Sequence, residues 1–129
     1  MRLFEGAIAS LDRAMDVREK RHARLASNVA NIDTPGFRPL DVDFAASMKE
    51  GIRPTGMAGS HDAHFTMEEE FSVEVIRGAE TTPTIDGNTV DLDKTMASLA
   101  ENGMQYSTAA RVVNKKLALL RYVSSDGAA

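Results

Sequence analysis

Ala26-Ser27-Asn28-Val29-Ala30-Asn31-Ile32-Asp33-Thr34-Pro35-Gly36-Phe37 ends a long amphipathic run with a helix stop that carries two amide side chains. Pro35 and Gly36 mark the boundary. Asn28, Asn31 and Thr34 recur every three residues, which places them on one side of the last helical turns. Asn is a poor helix former, so an amide inside the helix end costs stability unless its side chain finds a partner. Two readings stay open. Asn31 and Thr34 satisfy the last carbonyls of their own helix, or the amides reach a loop or another subunit that Ala26 and Ala30 allow to come close.

Working back from this stretch, apolar positions fall at Phe4, Ile8, Leu11, Met15, Leu25, Val29 and Ile32, with Arg18 and His22 interrupting the series. The gaps alternate between four and three, the 3.5-residue repeat of a seam for a partner helix. Val17 and Ala26 lie beside the seam and take over part of the packing where the two polar residues break it. At the other end the series Leu92, Met96, Leu99, Gly103, Tyr106, Ala110, Val113, Leu117, Leu120 repeats the pattern. Helices over 3–32 and 90–123 would be roughly 45 and 50 Å long, beyond the ordinary helix of a compact small domain.

The expected fold is therefore mainly α. Two long terminal helices pair antiparallel as a coiled-coil-like hairpin, with a loop-rich insert that holds a short helix and one or two short strands. Residues 1–34 and 88–125 are the helical core, and 35–87 the insert, which contains all four prolines and six of the nine glycines. Within it, Asp43 to Gly51 reads as a helix capped by Asp43, with Phe44 and Met48 on its buried face. Residues 52–66 read as an exposed loop, Phe71 to Val75 as a strand, and Thr81 to Ile85 as extended chain before a turn at Asp86-Gly87. Asn88 is placed to cap the second long helix, with Asp91 three residues on. Asp91 and Asp93 near its start and Lys115, Lys116 and Arg121 near its end suit the helix dipole.

Composition excludes several classes. The chain has no Cys, so it has no disulfide framework or thiolate chemistry. It has no Trp, two Tyr and five Phe, so Ala and aliphatic residues must do most of the packing. Charge is uneven: 1–32 carries six Lys/Arg against four Asp/Glu, 33–89 four against eleven, and 90–129 five against four. An acidic middle and nearly neutral helices lack the basic stripe of a nucleic-acid footprint. No apolar run is long enough to span a membrane, and Met1 to Phe4 open an amphipathic pattern with no secretory signal.

No catalytic constellation emerges. His61 and His64 offer a weak metal-ligand spacing without a third ligand, and Glu68-Glu69-Glu70 reads as a solvated run. No metal or cofactor is expected, and an enzyme is not the reading. Both helices, however, carry apolar residues outside their seams: Ala7, Ala14 and Val17 on the first, Met104, Val112, Leu119 and Val123 on the second. A face wider than one helix can cover calls for more than one neighbour.

Ser27-Asn28-Val29-Ala30-Asn31-Ile32-Asp33-Thr34-Pro35-Gly36-Phe37 resembles the hallmark segment of the flagellar axial family of bacterial rod and hook proteins, with Ser27 in place of the usual Ala. Leu40-Asp41-Val42-Asp43-Phe44, Gly87 to Asp93, Leu99 to Asn102 and Gln105-Tyr106 resemble the proximal-rod branch of that family. The resemblance covers both termini and leaves about 52–80 unmatched. Gly103 departs from it where a larger residue is usual.

The resemblance implies a structural subunit of a bacterial flagellar basal-body rod in the periplasm, exported by the flagellar type III apparatus without a cleaved signal. It implies terminal helices that form the inner tube and order on assembly, in a hollow shaft that transmits torque and conducts export substrates. Expected partners are copies of the chain, other rod subunits, an adaptor subunit at the membrane ring and the export apparatus. The motif residues Asn28, Asn31, Thr34, Pro35, Gly36, Phe37, Asp41, Asp43 and Phe44 are expected to form a polar latch at the junction. The competing readings are another rod or junction axial subunit, or a soluble helical-hairpin binding module.

Overall fold

The computed structural model describes the backbone of residues 2–50, 73–78 and 82–125 and the side chains of 6–49, 73–78 and 82–125. Helix α1 spans Arg2–Ala30, strand β1 Leu40–Val42, helix α2 Phe44–Glu50, strand β2 Val75–Arg77 and helix α3 Leu92–Ser124. The expected mainly helical architecture with a short helix and two short strands is what forms.

α1 is rich in Ala and free of proline, which favours helix over about 45 Å despite the weak helix formers Gly6 and Asn28. It ends slightly before the expected Ile32. Beyond Ala30 the chain unwinds through shorter-range bonds, Ile32 N–H to Val29 O at 3.3 Å and Thr34 N–H to Asn31 O at 3.0 Å. Gly36 follows with φ +71, a left-handed conformation that suits glycine at a helix exit. α1 packs mainly against α3, and the two run antiparallel: Arg18 lies level with Asn102, and residues 31–34 lie level with Asn88.

The insert leans on the same helix. β1 and β2 pair antiparallel, Leu40 opposite Arg77 and Val42 opposite Val75. Flanking bonds extend the ladder at both ends, Gly78 N–H to Pro39 O at 2.9 Å and Asp43 N–H to Glu74 O at 2.9 Å. The strand thus begins where the alternating run from Phe71 was expected to finish. Its position is set by pairing with the short β1 rather than by local alternation. Residues 82–85 form a bend and a turn, with no strand among them.

α2 starts as expected: the Asp43 carboxylate accepts from Ala46 N–H at 2.9 Å. Phe44 and Met48 are half-buried, and the fully buried residue is Ser47. The Ser47 hydroxyl donates to Asp43 O at 2.6 Å and accepts from Glu74 N–H at 3.0 Å, joining α2 to the approach of β2. The readings placed on Phe4, Gly51, residues 52–66, His61, His64, Glu68 to Glu70, Phe71 and Thr81 fall outside the described side chains.

Among the described residues the buried apolar side chains are Val17, Leu25 and Val42, with Pro39 buried as well just before β1. Val17 therefore takes the place of the interrupted seam, whereas Ala26 faces outward. This core is small, and polar residues complete it.

Candidate functional site

The junction at the end of α1 is built from amides. Asn28 is 3% exposed, and its side chain forms two bonds with one peptide unit: Nδ2 donates to Leu40 O at 2.7 Å while Oδ1 accepts from Leu40 N–H at 3.0 Å. An amide matched to a backbone donor and acceptor acts like a short piece of strand, and it places Leu40 at the start of β1. Asn31 does something different. Its Nδ2 donates to Ser27 O at 2.8 Å, and Thr34 donates to its Oδ1 at 3.2 Å, so this pair stays on its own helix end.

Asn88 is the centre of the junction. Its Nδ2 lies 3.0, 2.7 and 2.8 Å from the carbonyls of Asn31, Ile32 and Thr34, and its Oδ1 accepts from Val90 N–H at 2.8 Å. Asn88 is thus not the cap of the C-terminal helix, as its position had implied. It binds the exit of the other helix, adding a donor to the carbonyls of Asn31 and Thr34, which backbone amides already reach, and supplying one to Ile32 O. The cap of α3 is Asp91, whose carboxylate accepts from Lys94 N–H at 3.0 Å. The Asp91 carboxyl is held below its ordinary range, first by that amide.

Two glycines let the arms meet. Gly36 donates its N–H to Asp86 O at 3.0 Å, and Gly87 beside it takes a left-handed conformation at φ +79 that suits glycine. Thr89 N–H donates to Phe37 O at 3.2 Å. Asp86 accepts the Thr84 hydroxyl, which lowers its pKa first, with the Asn88 amide second. Pro35 is exposed and Phe37 half-buried.

Ionic contacts fasten the insert to α1. Arg21 holds Asp41 with two bonds, Nε at 2.8 Å and Nη2 at 2.9 Å, and Asp41 Oδ1 also accepts from Val42 N–H. The bond to Asp41 raises the pKa of Arg21. The Arg18 guanidinium lies 4.3 Å from the centre of the Phe44 ring, a cation–π contact. Arg18 is also bound by α3: Asn102, 1% exposed, donates to Arg18 O at 2.8 Å and receives a long contact from Arg18 Nη1 at 3.4 Å. Burial, then the neighbouring Arg21 charge, lowers the pKa of Arg18. Arg18 breaks the apolar seam because it is the meeting point of three helices.

The apolar stripe of α3 is turned relative to this contact. Thr95 and Asn102 are buried, and Leu99, Val113 and Leu120 are half-buried. Leu92, Met96, Tyr106 and Leu117, expected on the seam, are exposed within the single chain, as are Met104, Val112, Leu119, Tyr122 and Val123. On α1, Ile8, Leu11, Met15 and Val29 are half-buried and Leu25 buried, while His22 is exposed. Gly103 faces an open groove of about 240 Å³ lined by Arg18, Glu19, His22, Asn102 and Tyr106.

Among the described residues no group of His, Cys, Asp and Glu is arranged to hold a metal ion, and no helix is long and apolar enough to cross a membrane. The arrangement offers a two-helix bar with a hydrogen-bonded junction and much uncovered apolar surface. Asn88 and Asn102 carry essential contacts that helical periodicity misses, since their partners lie across the chain. The polar gap at Arg18 was the visible sign of Asn102.

No family model matches the chain. Curated relatives do. A flagellar basal body rod protein FlgB from Proteus mirabilis (strain HI4320) is 33% identical over 124 residues, covering 88% of this chain and 90% of the relative. FlgB proteins from Salmonella typhimurium and Aeromonas hydrophila are 30% and 32% identical, covering 96% and 88% of this chain and 96% and 89% of their own lengths. With identity of this order across nearly the full length of both partners, the chain belongs to the FlgB family of flagellar basal body rod proteins.

Proposed function

We propose that the chain is a wall subunit of the proximal rod, near the membrane ring, with its helical hairpin forming part of a hollow shaft that transmits torque and conducts export substrates. Its work is mechanical, without a catalytic step. Copies of the chain, other rod subunits and an adaptor at the ring are its neighbours. It reaches the periplasm through the flagellar export apparatus. The junction from Asn28 through Asn31, Thr34, Pro35, Gly36 and Phe37 to Asp41, Asp43 and Phe44 sets the angle between bar and insert.

The observation that carries this reading is the uncovered apolar surface of α3. Leu119, Tyr122 and Val123 are 54%, 52% and 71% exposed near one end of the bar. Fully burying one large apolar side chain contributes about 1.5–3 kcal/mol, so a patch of this size favours neighbours over water. A hairpin that stays monomeric would leave this surface in water.

In a strain lacking the native chain, Leu119→Asp with Val123→Asp is expected to remove the protein from isolated basal bodies and to abolish motility. Wild-type recovery and motility would refute the wall-subunit reading. Labelled wild-type chain should be found at the ring-proximal end of the rod, and a distal position would place it among the other axial subunits. Asn28→Ala should impair motility more than Asn31→Ala, because only Asn28 holds the insert. Unchanged motility in the double variant would remove the latch from the account.

A further inference from the structure

The two arms of the hairpin have complementary backs. On α3, the side turned away from α1 carries Met104, Val112, Leu119 and Tyr122, at 64%, 40%, 54% and 52% exposure. These recur at gaps that keep to one helical face, and the exposed cations Arg111 and Lys115 lie among them one turn apart. On α1, the exposed residues Ala9, Asp12, Asp16 and Ala23 share one helical face, with Glu19 at its edge beside the groove toward α3. Among the described residues none of these five charged groups forms a salt bridge.

The anions are crowded. The Asp16 carboxyl is pushed above its ordinary range, first by partial burial and then by the charges of Asp12 and Glu19. Lys20 and Arg13 on the same helix oppose this in part, and further cations brought to this face would relieve the rest. The hairpin's own Arg111 and Lys115 are exposed on α3 and form no ion pair with these anions.

Resting on the rod reading, we infer that the back of α3 in one copy docks antiparallel on the back of α1 in a second copy, with Arg111 against Asp16, Lys115 against Asp12, and Met104 over Ala23. The alanines let the apolar side chains of α3 lie close, and the charge pairs set direction and register. Donor and acceptor faces are different surfaces of the same chain. The contact is therefore heterologous, and each copy keeps an open face for the next. Within one hairpin Asn102 lies opposite Arg18. The intermolecular pairing is displaced from that register by about seven residues, a stagger of about 10 Å between adjacent copies. Side-by-side copies staggered in one direction generate a helical wall.

The absence of Cys makes the test direct. Ala23→Cys with Met104→Cys leaves every charge in place and alters two exposed positions on opposite backs, too far apart for a bond within one chain. In oxidised basal bodies the double variant is expected to give covalent dimers and longer ladders of this chain, and neither single variant should. Three results would overturn the contact: no ladder with the chain present in basal bodies, dimers from Ala23→Cys alone, or links only to a different subunit. Loss of the chain from basal bodies in these charge-preserving variants would count against the rod reading itself. As an independent arm, Arg111→Glu with Lys115→Glu should lower recovery in rods about tenfold, and adding Asp12→Lys and Asp16→Lys should restore it. Unaffected recovery, or no rescue, would also overturn the pairing.

Discussion

Replacing Asn88 probes the junction where it is most concentrated. Its Nδ2 faces three carbonyls of the α1 exit at 2.7–3.0 Å, but an amide has two hydrogens, so at least one of these bonds is shared. Two full donations and the bond from Val90 N–H make about three hydrogen bonds, each worth about 1 kcal/mol net in a buried setting. Asn88 is 3% exposed, so the groups left behind cannot all recover their bonds from water. Asn88→Ala is expected to cost about 3 kcal/mol, a large share of the stability of a chain with so small an apolar core. Asn88→Asp is the sharper variant. It keeps size and the acceptor for Val90 but turns a carboxylate toward three carbonyls, so it should cost at least as much as Ala. The assay is urea unfolding followed by circular dichroism, in an osmolyte that favours the folded chain. With a slope of about 1–1.5 kcal/mol/M for a chain this small, the midpoint should fall by about 2–3 M. A loss below about 0.5 kcal/mol for both variants, or a tolerated Asp, would refute the role of Asn88 as a donor to the α1 exit.

Two further outcomes follow from other polar contacts. Asn102→Ala removes the bond to Arg18 O at the helix interface and should cost about 2 kcal/mol, whereas Asn102→Leu should unfold near the wild type but loosen the α1–α3 register. Cross-linking between the helices would then give several products in place of one, and a single wild-type product would contradict this. Acidification tests the α3 cap. A carboxyl held below its unfolded value adds stability that is present above that value and lost as pH falls through the folded one, so Asp86 and Asp91 weaken their turns in acid. Asp16 has the opposite sign, since its raised pKa favours the fold at low pH and is lost as pH rises through it. The Lys94 amide should lose hydrogen-exchange protection in acid before the Asn102 amide does. Asp91→Asn, which still accepts but does not titrate, should remove that difference, and an unchanged pH response would assign it elsewhere.

The elements with local signals were legible in the residues: two long helices from their 3.5-residue stripes, the stop at Pro35-Gly36, the Asp43 cap and the Asp86-Gly87 turn. The rotation of α3 was not. Its stripe through Leu92, Met96, Tyr106 and Leu117 and its back through Met104, Val112 and Leu119 are both apolar, and periodicity alone does not choose between them. The choice is made by Asn102, which is buried and bonds to the main chain of α1, while Thr95, buried on the same helix, bonds back to Asp91 O. Asn88 misled for a related reason. By position it resembles a cap for the helix that follows, but the carbonyls it binds lie at the exit of a helix more than fifty residues away in sequence. The latch reading of the motif divides in the same way: Asn28 bonds across to Leu40, and Asn31 bonds to its own helix.

The central claim is that the exposed α3 surface is covered by neighbours in the rod. Its most direct measurement is thiol labelling of single cysteines placed at Leu119 and Val123 in a chain that has no other. Both are expected to label readily in the purified chain and to be protected in isolated basal bodies, whereas a cysteine at exposed Thr82 should label in both. Equal labelling of Leu119→Cys and Val123→Cys in chain and rod would contradict the account.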